Sequence, residues 1–173
     1  MAQRLEVVLL LTLPAIEISD VPKGERAGLI PILEESFEGL YLWHAKRTLQ
    51  SVEVVRAART AGGEACGLAM LKVFPEEAGY VYYVAVSPRF RRQGMGGRLL
   101  DDGISYFERN GVRDVYASVE EENEASKRLF GSRGFEELKG SEMGERYGRI
   151  RALIMRREMM VVPGEVLLAK HLS

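Results

Sequence analysis

The chain has a single cysteine, Cys66, and two histidines, His44 and His171, in 173 residues. A lone cysteine forms no intramolecular disulfide and leaves no thiol set for a structural zinc, so the expected setting is the reducing cytoplasm. Two histidines are too few for a His-rich metal cluster, and no catalytic metal is expected. An excess of one charge is also missing: 24 Lys and Arg stand against 25 Asp and Glu, for a formal net charge of −1. Nothing in that balance draws the whole molecule to nucleic acid or to an anionic membrane, so any electrostatic recognition must be local. Long apolar runs are lacking as well. The run over residues 7–11 is interrupted by Thr12 and ended by Pro14, far short of the roughly 20 apolar residues of a membrane span, and reads as a buried strand.

What is present is a globular composition, 46% hydrophobic and 28% charged, and a length that suits one domain over residues 1–173. Over residues 27–48 the apolar positions recur at three and four, which predicts two short helices broken near Glu38 and Gly39. Residues 51–61 and 65–74 read as strands joined through Gly62-Gly63 into a hairpin. A further strand is expected over 79–86, stopped by Ser87-Pro88. Leu99, Leu100, Ile104 and Phe107 predict a helix over 97–110 that ends at Asn110-Gly111. A strand over 112–119 follows, and the crossover makes it parallel to the one before. Asn123 is placed to cap a short helix through Phe130 that stops at Gly134. Residues 149–159 read as the last clear strand. The remainder, 160–173, is open to three readings: an extra strand, a short helix, or a contact between the copies of a homodimer.

The strand, loop and helix over residues 84–100 carry the chemistry. Where a strand ends and glycines curl the backbone into a helix start, unpaired amides and the positive end of the helix dipole converge on one spot, which suits an anion. Gly94 and Gly96 leave room for a phosphate, and Arg91 and Arg92 are placed to add charge-assisted hydrogen bonds. A nucleotide P-loop is excluded because Gly97 is followed by Arg98 and Leu99 rather than Lys and Ser/Thr. A dinucleotide fingerprint starting at Gly94 fails at Leu99.

Arg91-Arg92-Gln93-Gly94-Met95-Gly96 resembles the pyrophosphate loop of the GNAT superfamily of N-acetyltransferases, Gln/Arg-x-x-Gly-x-Gly/Ala. Asn123, Ser126, Leu129, Phe130, Gly134 and Phe135 resemble the same family's cofactor-facing helix. The likeness covers roughly residues 65–158. It implies a mixed α/β fold whose central sheet splays between its fourth and fifth strands, with the coenzyme A of acetyl-CoA entering the opening. The pyrophosphate is then expected on Arg91, Arg92 and the amides of Gln93, Gly94, Met95, Gly96 and Gly97. The thioester is expected near Val84, Ala85 and Val86, with Asn123 and Ser126 toward the pantetheine arm, Asn123 serving equally well as a plain helix cap.

The family commonly places a general-base Glu on the fourth strand, where this chain has Tyr80. Tyr80 and Tyr82 are expected on the same face as Val84, shaping the acceptor pocket, since a phenol titrating near ~10 is a poor base. Glu35, Glu38, Glu76 and Glu77 are alternative bases acting through water, each better read as a solvated carboxylate. The run Glu120-Glu121-Glu122 with Glu124 is a candidate for steering a cationic amine. Cys66 reads as a buried small hydrophobe. At the position of the usual tyrosine acid stands Phe130, which has no proton to donate. The expected activity is acetyl transfer by direct attack of a primary amine, on a small molecule or a protein. The alternative is a noncatalytic acyl-CoA sensor or assembly module. RNA binding through Arg89, Arg91 and Arg92 is disfavoured because no aromatic-rich basic surface accompanies them.

Overall fold

Gly63 takes a φ of +84° between β2 (Val54–Thr60) and β3 (Ala65–Phe74), which closes the expected antiparallel hairpin. In the computed structural model, which describes residues 15–172, this hairpin is the start of one mixed sheet. Its other strands are β1 (Ile16–Asp20), β4 (Ala78–Val86), β5 (Asp114–Glu120), β6 (Glu136–Glu137) and β7 (Glu165–His171). Their spatial order is β1-β2-β3-β4-β5-β7-β6, and only the β4–β5 pair is parallel. The run at 7–11 lies outside the described residues.

The helix between β4 and β5, α3 (Met95–Arg109), supplies the crossover. It buries Met95, Leu99, Leu100 and Phe107 against the sheet, and each such side chain contributes about 1.5–3 kcal/mol. The approach is close: a Cβ on Gly79 would meet the Phe107 ring at 2.6 Å. α4 (Glu124–Gly131) lies on the same face through Leu129 and Phe130. The opposite face carries α1 (Ile30–Glu34) and α2 (Gly39–Ser51), which, with Leu29 just before α1, pack Leu33 and Leu49 over Leu68, Met70 and Ala85. α5 (Glu142–Tyr147) and α6 (Arg149–Met159) cover Tyr80, Tyr116 and Leu167.

Two expectations are corrected. The first is the strand over 149–159, which is the helix α6. Ala152, Met155 and Met159 fall at helical spacing and are buried, while Ile150 and Leu153 are exposed. The antiparallel place beside β5 is taken by β7, which pairs with it along its whole length, from Asp114↔His171 to Glu120↔Glu165. Of the three open readings of 160–173, the strand holds for Glu165–His171. The second correction concerns β4. Met70 pairs with Tyr83 but Leu71 pairs with Val81, so Tyr82 is an extra residue in a β-bulge. The bulge shifts the alternation by one. Tyr80, Tyr82, Tyr83 and Ala85 pack with the clusters under α1, α2, α5 and α6, whereas Val84 and Val86 pack on the α3 side. Tyr80 and Tyr82 thus do not share a face with Val84.

Candidate active site

β4 and β5 pair only from Ala78↔Asp114 to Val81↔Ala117. Beyond that point both strands continue, β4 to Val86 and β5 to Glu120, without pairing to each other. The gap opens into a cavity of about 730 Å³ lined by Tyr80 to Val84, Ser118 to Glu120, Asn123, Ser126, Leu129 and Phe130, with α2 and the segment after α6 as its outer wall.

The hydrogen-bond alternation of β4 decides what faces this gap. The Ser87 amide donates to the Cys66 carbonyl at 2.9 Å, and Ala85 and Tyr83 lie two and four residues before it on the same β3 register. In an antiparallel pair the bonded residues alternate, so Ser87, Ala85 and Tyr83 turn their amides to β3 while Val84 and Val86 turn theirs toward the opening. Arg91 Nε accordingly reaches the Val86 carbonyl at 2.9 Å. The Val84 amide is left facing the cavity as a donor for a carbonyl oxygen.

At the end of β4 the chain makes a short 3-10 turn, Pro88–Phe90, and enters α3 through Gly94 at φ +77°. The first helical bond runs from the Arg98 amide to the Gly94 carbonyl at 3.0 Å. The amides of Met95, Gly96 and Gly97 come before any helical acceptor and are directed to the end of the dipole. Gly96 faces the gap between the two flanks of the site: a Cβ there would lie 3.5 Å from Leu129 Cδ2 and 3.9 Å from Val86 Cγ2. These residues fit a phosphate-bearing chain entering between β4 and α4. Arg91 also ties the loop to its surroundings. Its Nη2 donates to the Glu35 carbonyl at 3.0 Å and to Ser36 Oγ at 3.3 Å, tying the loop to the α1–α2 connection. Gln93 Nε2 donates to the Arg89 carbonyl at 3.1 Å. Arg92 is exposed, with φ +60°, and is available to a phosphate.

Asn123 is the cap of α4, its Oδ1 accepting from the Ser126 amide at 3.0 Å. Both residues also line the cavity. Phe130 is buried on the cavity wall, edge-on to Phe135 with ring centres 5.0 Å apart. Tyr80 Oη and Ser118 Oγ are 2.7 Å apart, and Tyr82 Oη donates to the Glu158 carbonyl at 2.6 Å. Burial raises both phenols above the ordinary tyrosine range, Tyr82 to about 12. Glu76 is engaged by Arg151, whose guanidinium holds the carboxyl below its usual range, and Glu77 by Arg113 at 2.7 Å. Glu35 accepts from Ser87 Oγ at 2.9 Å. Of the carboxylates named from the sequence, Glu38 and Glu120 line the cavity. Cys66 is fully buried, and burial raises its thiol.

Sequence reasoning missed the outer wall. His44 and Tyr41 on α2, Tyr83 in β4 and Glu165 in β7 all line the cavity. His44 Nδ1 is 2.6 Å from Tyr83 Oη, and Tyr41 Oη donates to Glu165 Oε1 at 3.2 Å. Leu40, Trp43, Met160 and Val162 form an exposed apolar rim around them. The helical period of 27–48 was visible in the sequence, but not which of its faces would meet β4.

Among the described residues no group of three or more His, Cys, Asp or Glu is placed to hold a metal ion, and no helix is long and apolar enough to cross a membrane.

Comparison with known proteins agrees with this architecture. The [ribosomal protein bS18]-alanine N-acetyltransferase of Escherichia coli (strain K12) is 28% identical over 130 residues, 73% of this chain and 81% of the relative. The crystal structure of the ribosomal-protein-S18-alanine N-acetyltransferase from Escherichia coli superposes with a TM-score of 0.67 at 19% identity, covering 92% of this chain and 95% of the other. A GNAT family acetyltransferase from Elizabethkingia anophelis with acetyl-CoA bound has a TM-score of 0.65 at 18% identity, covering 91% and 98%. A model of the acetyltransferase (GNAT) family matches residues 27–135, more than half of the chain and the whole of the loop, crossover and capped helix described above. The chain belongs to the GNAT family of acetyltransferases, which move an acetyl group from acetyl-CoA to an amine.

Proposed function

We propose that this enzyme acetylates a primary amine, on a small molecule or at the free N-terminus of a protein, by direct attack of the amine on acetyl-CoA in the cleft between β4 and β5. The observation that carries this reading is the parting of the two strands after Val81↔Ala117, which turns the Val84 amide into an unpaired donor. In this reading the amides of Gln93 to Gly97, with Arg92, hold the pyrophosphate, and Val84, Ala85 and Val86 run beside the pantetheine arm. Arg91 shapes the loop, while Asn123 and Ser126 border the arm from α4. The Val84 amide stabilises the developing oxyanion, an interaction worth on the order of 3 kcal/mol in related chemistry.

The acceptor enters from the α2 side. Its wall joins apolar surface, Leu40, Trp43, Met160 and Val162, to the carboxylates Glu38, Glu120 and Glu165. That pairing suits a cationic amine carried next to an apolar group, and the relative that acetylates an alanine of ribosomal protein bS18 makes an N-terminal residue a natural first candidate. The buried lone thiol suits a reducing cytoplasm. The test follows thiol release from acetyl-CoA with a panel of small amines and of peptides with free N-termini, one beginning with alanine. Saturable release with at least one amine is expected. Tight acetyl-CoA binding with no release from any of them would favour the sensor reading instead.

A further inference from the structure

Three tyrosines of β4 line the cavity, and their hydroxyls are not equivalent. Tyr80 meets Ser118 Oγ, and Tyr82 gives its hydrogen to the Glu158 carbonyl. Neither partner accepts a proton near neutral pH. Tyr83 alone of the three is bonded to a group that does: His44 Nδ1, at 2.6 Å. The other ring nitrogen, Nε2, lies 2.7 Å from Met160 Sδ at the exposed end of the cavity. The bulge at Tyr82 is what brings this about, because it puts Tyr83 on the α2 face directly before Val84, the residue whose amide faces the gap.

Resting on the acyl-transfer reading above, we propose that His44 is the proton acceptor of the reaction and that the Tyr83 hydroxyl relays the amine's proton to it. The ammonium gives a proton to Tyr83 Oη as the Tyr83 proton passes to His44 Nδ1, so the phenol never becomes a phenolate. The neutral amine nitrogen then bonds to the thioester carbonyl carbon. The carbon–sulfur bond breaks with its electron pair on sulfur, which takes up a proton from water. The amide nitrogen sheds its remaining extra proton to solvent, the imidazolium loses its Nε2 proton past Met160, and solvent exchange returns the ring to the Nε2–H tautomer so that Nδ1 can accept again. Ammonium and thioester thereby become amide, thiol and one proton released to solvent.

The surroundings keep the pair in the required forms. His44 is faced by Tyr83 of β4, by Arg47 of α2, by Glu165 of β7, which also holds Tyr41, and by Met160 after α6. Desolvation and Arg47 lower its titration below the ordinary histidine range, against an opposing pull from Glu165. The imidazole is therefore neutral at pH 7 and able to accept. Tyr83 packs edge-on to Phe37 with ring centres 5.1 Å apart, and burial with Glu165 nearby raises its phenol well above the usual range. Glu165 is occupied as a strut, holding Tyr41 on one oxygen and the Val162 amide on the other.

The experiment compares wild type with Tyr83→Phe and His44→Gln, using an alanine-initiated tetrapeptide as acceptor, from pH 6 to 9. Such an α-amine titrates near ~7.8. Each variant is expected to lose roughly five- to tenfold in kcat/KM at pH 7, because only about one seventh of such an amine is neutral there without the relay. The defect should shrink below about twofold at pH 9, where the amine arrives neutral. Acetyl-CoA affinity, measured by calorimetry, should stay within about threefold of wild type. His44 and His171 are the only histidines, so proton NMR resolves their titrations, and Tyr83→Phe should move that of His44. A defect that is the same at every pH, or none in either variant, overturns the relay while leaving acyl transfer standing. Wild type that releases no thiol with any amine removes acyl transfer, and this assignment with it.

Discussion

Tyr80 Oη lies 2.7 Å from Ser118 Oγ, across the point where β4 and β5 cease to pair. The contact bridges the apex of the fork, just beneath the place where the acyl group is expected. It is a structural tie, since burial keeps the phenol protonated. Tyr80→Phe is expected to lower stability in urea by about 0.5–1.5 kcal/mol, the ordinary worth of one buried hydrogen bond. The pH profile of kcat/KM should keep its wild-type shape. A shifted acidic limb would show that Tyr80, not Tyr83, handles the proton.

Gly94 and Gly96 separate conformational from steric need within one loop. Gly94 has φ +77° and open space around it, so a valine there is strained by roughly 1–2 kcal/mol whatever the room available. Gly96 has ordinary dihedrals and a Cβ direction facing Leu129 and Val86. Gly96→Val should therefore keep the thermal transition within a few degrees and raise the Kd for acetyl-CoA by about a hundredfold or more, equivalent to ~2.7 kcal/mol. Unchanged affinity by calorimetry would move the cofactor away from this loop.

The loop and the crossover helix were legible because local rules act within a few residues there: glycine at a positive φ, Ser87-Pro88 at a strand end, Asn123 accepting from the Ser126 amide. The parallel pairing of β4 with β5 followed from the right-handed crossover. Residues 149–159 misled because apolar residues there satisfy a period of two as well as a helical one, and the choice was made elsewhere, by β7 filling the place beside β5. The bulge at Tyr82 has no local signal. His44 and Tyr83 are 39 residues apart and meet only through the packing of α2 on β4, so a tyrosine-rich strand gave no indication of which hydroxyl would find a base.

Arg26, which no motif in the sequence singles out, is 3% exposed. Its Nη1 donates to the Leu49 and Val52 carbonyls at 2.9 and 2.8 Å, and its Nε and Nη2 reach Val21 and Glu53. The bonds to Leu49 and Val52 engage carbonyls at the C-terminal end of α2, the helix that carries His44, and those to Val21 and Glu53 tie it to the flanking segments. Arg26→Ala is expected to lower unfolding free energy by about 2–4 kcal/mol, since several buried acceptors lose their partner at once. Arg26→Lys should recover only part, because a single ammonium does not span the same set. A loss below ~0.5 kcal/mol in urea for Arg26→Ala would show that water replaces the guanidinium there.

Phe130 stands at the cavity wall, at the position where the family resemblance implies a tyrosine acid, with its ring 5.0 Å from Phe135. No proton comes from this position, so the departing thiolate must be protonated by water. With a thiol titrating near ~8.5, leaving without a proton at pH 7 forgoes only about 2 kcal/mol. The cleft is open to solvent along the rim of Leu40, Trp43 and Met160, which gives water a path to the sulfur. Phe130→Tyr should therefore leave kcat near its wild-type value or raise it by at most about a hundredfold, the low end of general acid catalysis. The gain should be largest near neutral pH and fade above ~8.5, where the free thiol is itself ionised and protonating it gives no advantage. The measurement is kcat against pH for both proteins with one acceptor. An increase of four or more orders of magnitude would mean that the natural chain barely turns over, and would favour an acyl-CoA sensor over an acetyltransferase.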